Sequence, residues 1–165
     1  MSPLRRCQVE IFIGQVEIGM SLAISKTFHF EASHILPLHP GTCSRLHGHS
    51  WQLTVTVEGE PDPQTGMIAD FYDISRWVNT EVVANLDHTH LGAGPAATNL
   101  GINVFDYKVW RPFLGPDFYP TSENLVIAIM TLLQTTIKEY LPHEARLASI
   151  TLNETCTSAA TWRAS

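Results

Sequence analysis

In His47-Gly48-His49-Ser50-Trp51-Gln52-Leu53-Thr54-Val55-Thr56-Val57-Glu58-Gly59-Glu60, Trp51, Leu53, Val55 and Val57 alternate with Gln52, Thr54, Thr56 and Glu58. A period of two puts the apolar set on one face of a strand and the polar set on the other. Upstream, Phe28-His29-Phe30-Glu31-Ala32-Ser33-His34 alternates as well, with Phe28, Phe30, Ala32 and His34 on a common face. The two runs predict strands over about 24–34 and 47–60, paired as an antiparallel hairpin across a loop that contains Pro37, Pro40 and Gly41.

That hairpin has a chemical consequence. Residues two apart on a strand point to the same side, about 6–7 Å apart, so His47 and His49 can aim at one point. Paired strands bring His34 to the same place as a third imidazole. Zinc bound by three histidines keeps a fourth position for substrate. Cys43, four residues before His47, has two readings. It is either a fourth ligand that closes the site or a thiol beside the metal, where the cation lowers its pKa and makes it a base. Gly48 reads as relieving a close backbone approach, with an ordinary strand-start glycine as the alternative.

The remaining chain supplies a cover for this hairpin. A turn cluster, Pro61-Asp62-Pro63-Gln64-Thr65-Gly66, precedes a helix expected from Asp73, its N-cap, to about Leu86. Ile74, Trp77, Val78 and Val82 form its buried stripe. Asp87 and His88 emerge from its end, where the plain reading is a helix-terminal charge pair. A second helix opens at Pro120-Thr121-Ser122-Glu123 and runs to about Tyr140, capped by Thr121 or Ser122, with Glu123 in its first turn. Further strands are expected over about 147–155 and 160–163. Glu154, within the first of these, needs a partner if it is buried. Cys156 reads as a small strand residue.

The order ββααββ predicts an α+β fold with a four-stranded antiparallel sheet and two helices on one face. Residues 1–22 read as an N-terminal extension and about 92–119 as an insertion in a single domain over 23–165. Open strand edges and a second sheet face predict a homo-oligomer.

The 165-residue chain carries a formal charge of −6, which argues against nucleic acid as a general partner. An anionic substrate must therefore meet local positive charge, from a metal, Lys26, Arg45 or Arg163. Three cysteines, an odd number, fit a reducing compartment. With no signal peptide or spanning segment in the pattern, the expected location is cytoplasmic, away from membranes.

Six motifs in order carry a resemblance over about residues 24–163. They are Phe30-Glu-Ala-Ser-His34, Cys43-Ser-Arg-Leu-His47-Gly-His49, Gly66-Met-Ile-Ala-Asp70-Phe71, Leu86-Asp87-His88, Pro120-Thr-Ser-Glu-Asn124 and Glu154-Thr-Cys-Thr157. Together they resemble the 6-pyruvoyltetrahydropterin synthase family. The three-residue gap between Cys43 and His47 is most similar to the 6-carboxytetrahydropterin synthases of queuosine biosynthesis. The resemblance implies a tunnelling fold, trimers stacked into a homohexamer, and active sites between subunits. It implies conversion of 7,8-dihydroneopterin triphosphate to 6-carboxy-5,6,7,8-tetrahydropterin, acetaldehyde and triphosphate by a zinc-dependent lyase.

Carried over residue by residue, the resemblance makes His34, His47 and His49 the Zn2+ ligands. Cys43 becomes the catalytic thiol, Asp87 and His88 its acid–base partners, and Glu154 the pterin anchor. Thr121 and Glu123, inside a family motif, become candidate substrate contacts. Gly92 departs from the family, which often has asparagine there, and the 92–119 insertion departs in length. Two other outcomes belong to the same resemblance: a 6-pyruvoyltetrahydropterin synthase that eliminates triphosphate, and a non-catalytic zinc- or pterin-binding member. A zinc hydrolase needs a carboxylate base at the metal, for which Glu31 and Glu154 are the candidates.

Overall fold

A computed structural model describes residues 22–91, 119–142 and 144–165 of the chain. The N-terminal extension, apart from Leu22, and all of the 92–119 insertion except Tyr119 lie outside the described residues.

Strands β1 (Ala23–His34) and β2 (His47–Glu58) form the expected antiparallel hairpin, in a register that sets Phe30 opposite Trp51 and His34 opposite His47. The alternation sorts the faces as read: Trp51, Leu53, Val55 and Val57 are fully buried. Burying each of the aliphatic side chains of Leu53, Val55 and Val57 stabilises the fold by roughly 1.5–3 kcal/mol, enough to fix the register against a one-residue slip. The opposite face carries hydroxyl pairs across strands, Ser25 with Thr56 at 2.9 Å and Thr27 with Thr54 at 3.1 Å.

After the turn, α1 (Phe71–Val78) continues through a π turn (Asn79–Val83) into a last helical turn (Ala84–Leu86). Its N-cap is Asp70, whose carboxylate accepts from the Tyr72 amide at 2.7 Å, and not Asp73. Asp73 sits in the first turn and pairs with exposed Arg76 at 3.3 Å. The loosened π turn is closed by Asn85, whose amide donates to the carbonyls of Thr80 and Glu81. Helix α2 (Ser122–Tyr140) begins as expected, with the Thr121 hydroxyl accepting from the Asn124 amide. Both helices bury their apolar stripes in one core with the sheet.

The sheet has one strand more than the sequence suggested. Short β3 (Thr89–Leu91) adds to the edge of β1 in parallel, giving the order β3-β1-β2-β4-β5 with β4 (Arg146–Thr155) and β5 (Ser158–Arg163). Three residues are too few to show a period, so only docking reveals this strand. The chain turns into it at His88, which adopts φ 57°. Two bonds to β1 hold the turn: Asp87 Oδ1 accepts the Glu31 amide at 2.8 Å, and the His88 amide donates to the Glu31 carbonyl at 2.6 Å. The α+β class holds, with element order ββαβαββ.

Candidate metal centre

The end of the β1–β2 hairpin, beneath the start of α2, gathers the three imidazoles. His34 is completely buried, and its Nδ1 lies 2.9 Å from the Pro120 carbonyl. A carbonyl only accepts, so Nδ1 carries the proton and Nε2 presents a lone pair. His47 is held the same way, its Nδ1 2.7 Å from the Arg45 carbonyl. The two bare Nε2 atoms then face each other at 3.0 Å. Two lone pairs at that distance repel unless a cation stands between them.

Burial disfavours a proton on His34 as that cation. Burial pushes the His34 pKa below its ordinary value, and the neighbouring His47 and His49 push the same way against the raising effects of Pro120 and Glu154. Burial lowers His49 as well. Neutral imidazoles with outward-fixed Nδ1–H groups are what a metal requires.

The carboxylate of Glu154 completes the group. Its Oε1 lies 3.2 Å from His34 Nε2 and 3.3 Å from His49 Nε2, and the four ligand atoms lie within 4.8 Å of one another. Bonds of 2.0–2.1 Å in a tetrahedron separate ligand atoms by about 3.3 Å, so these spacings suit a small divalent ion. His49 Nε2 is buried with no hydrogen-bond partner among the described residues, as a ligand atom should be. Trp51 forms the wall: its ring stands edge-on to His34 and His49 at 5.3 and 5.4 Å, and its indole N–H donates to the Ala32 carbonyl at 3.1 Å.

Beside the group opens a cavity of about 480 Å³, lined by Ser50, Gln52, Asn153 and Cys156 together with His49 and Glu154. Cys156 lies in the turn after β4 and is exposed, and is not the strand residue read from sequence.

His34, His47 and His49 come together with Glu154, and the Cys43 thiol is outside that group. Cys43 lies in a 3-10 turn (Thr42–Ser44), where its carbonyl accepts the Leu36 amide. Asp87 and His88 form a pair, Oδ2 to Nδ1 at 3.0 Å, on the surface, with the His88 side chain 80% exposed. The amide of Glu31 and the partner His88 hold the Asp87 carboxyl below the usual range. The Thr121 hydroxyl is engaged as a helix cap, and Glu123 is exposed in the first turn of α2.

His90 does not join His88 in a second site: it is buried on β3 with Nδ1 3.0 Å from the Ser33 hydroxyl. A Cβ on Gly48 would meet the Ala32 carbonyl at 3.5 Å, an ordinary contact, so the close approach read from sequence is absent. Two contacts to the site had no sequence signal, although both residues lie in the Pro120–Asn124 motif. The Pro120 carbonyl acts across 86 positions, and the Ser122 hydroxyl reaches Glu154 Oε2 at 3.2 Å across 32.

Fold and site define the class, an α+β protein with a donor set of three histidines and one carboxylate at one end of its sheet. Residues 23–165 match the 6-pyruvoyl tetrahydropterin synthase family, and the chain belongs to it. The 6-carboxy-5,6,7,8-tetrahydropterin synthase of Synechocystis is 34% identical over 141 residues, 83% of this chain and 89% of the relative. The enzyme of that name from Haemophilus influenzae is 29% identical, over 82% of this chain and 94% of its own. The 6-pyruvoyl tetrahydropterin synthase structure from Caenorhabditis elegans superposes with a TM-score of 0.63 at 22% identity, covering 88% of this chain and 97% of that one. The fold is the tunnelling fold of that family.

Proposed function

We propose that this chain is a zinc-dependent 6-carboxy-5,6,7,8-tetrahydropterin synthase. It converts 7,8-dihydroneopterin triphosphate to 6-carboxytetrahydropterin, acetaldehyde and triphosphate, in the queuosine route that the resemblance implies. The observation that carries this is the set of three imidazoles, two of them with fixed tautomers and facing Nε2 lone pairs, in a chain with relatives of that name.

His34, His47 and His49 hold the zinc, which supplies Lewis-acid polarisation of the substrate's side-chain hydroxyls. Cys43 accepts a proton at Sγ, and His88 moves another at Nε2 while Asp87 holds its Nδ1. The exposure of the Asp87–His88 pair and its separation from the metal group support a site completed by a second subunit. Glu154, beside the cavity, receives the pterin's amino and ring N–H donors, a geometry matched to one carboxylate. Thr121 and Glu123 lie at the helix start above it and contact substrate.

The test is product analysis after incubation with 7,8-dihydroneopterin triphosphate. A carboxypterin with stoichiometric acetaldehyde is expected, whereas a pyruvoyl pterin without acetaldehyde overturns the assignment in favour of triphosphate elimination. Cys43→Ala should keep its zinc and fold and lose turnover. Loss of zinc in that variant makes Cys43 a structural ligand instead.

A further inference from the structure

The contact between Glu154 and His34 is not a hydrogen bond. His34 has committed its proton at Nδ1 to Pro120, so Nε2 is an acceptor, and it faces the carboxylate Oε1 at 3.2 Å. His47 Nε2, also an acceptor, lies 3.0 Å from His34 Nε2. One proton bridges two acceptors, and here three converge, with His49 Nε2 beside them at 3.3 Å from the same carboxylate oxygen. An ion that takes several donors satisfies them together.

On the far side, the Ser122 hydroxyl donates to Glu154 Oε2 at 3.2 Å. That bond occupies one carboxylate oxygen and turns the other toward the imidazoles, which is the arrangement for one-oxygen ligation. Glu154 is also only partly buried and lines the adjacent cavity of about 480 Å³, so its carboxylate has somewhere to go.

We propose that Glu154 is a fourth, displaceable ligand of the metal in the substrate-free protein, aimed by Ser122, and that it swings into the cavity when a diol takes its place. This rests on the reading above that the three histidines hold zinc. The exchange would give up one carboxylate ligand for the incoming diol oxygens and would leave Glu154 free for the pterin donors. Ser122 is a positioning residue in this scheme.

Zinc affinity is measured on the full chain by competition with a chromogenic chelator, and the coordination sphere by visible absorption of the Co2+-substituted protein. Glu154→Gln should weaken Zn2+ binding by about tenfold or more and change the Co2+ bands. Ser122→Ala should weaken it by a smaller factor, and Ser122→Thr should restore it. Neopterin, a pterin carrying a vicinal diol, should shift the wild-type Co2+ spectrum. Wild-type affinity and an unchanged Co2+ spectrum in both Glu154→Gln and Ser122→Ala would overturn the proposal while leaving the three-histidine zinc site intact. A wild-type protein that binds no Zn2+ overturns both. If Glu154→Gln does not fold, Ser122→Ala and the neopterin titration decide: unchanged affinity and an unshifted spectrum reject the idea.

Discussion

His34 has each ring nitrogen assigned by its surroundings, one to the Pro120 carbonyl and one to the metal group. His34→Ala should therefore abolish zinc retention, read as metal content after dialysis. Its lowered pKa also contributes to the acid behaviour of the metal-free protein. The unfolded chain binds a proton near the ordinary imidazole value of 6.5, whereas the folded chain resists it to a lower pH. Between those two values the unfolded state holds more protons, so the contribution of His34 to stability is full above 6.5 and falls as the pH drops through that window. Thermal melts of the chelator-treated protein should show this decline. The increment in melting temperature given by Zn2+ should shrink over the same range, because protons compete for the same nitrogens. Trp51→Phe tests the wall: it removes the indole N–H that donates to the Ala32 carbonyl and should cost about 0.5–1.5 kcal/mol in urea denaturation.

At the scale of elements, the helix starts show how a local signal can be one turn off. Asp70 and Asp73 both suit a cap by residue type. The amide geometry selects Asp70, which accepts from Tyr72. Asp70→Ala and Thr121→Ala should each destabilise the protein by about 0.5–2 kcal/mol, since each removes a cap. Asp73→Ala should change stability by less than about 0.5 kcal/mol, because its pair with Arg76 is exposed. Equal losses at Asp70 and Asp73 would contradict the assigned cap. The hairpin, by contrast, was legible to within two residues at each strand end: alternating runs long enough to count gave both strands and the shared face of His34, His47 and His49.

For the molecule as a whole, the sheet ends in β3 and β5, and its outer face is lined with hydroxyls such as the Thr151–Thr161 pair at 3.0 Å. Surfaces of this kind suit pairing with further copies of the chain. Light scattering on the purified protein should give a trimer or a hexamer, and a fully active monomer would exclude a site completed between subunits. Among the described residues no helix is long and apolar enough to cross a membrane.

The sequence alone settled the two-stranded hairpin, the three converging histidines and the long capped helix, because each is a short-range pattern whose period or spacing carries its own geometry. Packing decided the β3 edge strand, the tautomers of His34 and His47, and the seat of Glu154 between Ser122 and the imidazoles. Those depend on groups far apart in the chain, such as His34 and Glu154, and no local period records such a meeting. They arise only when the helix start, the hairpin end and β4 are pressed together by burial of the same apolar core.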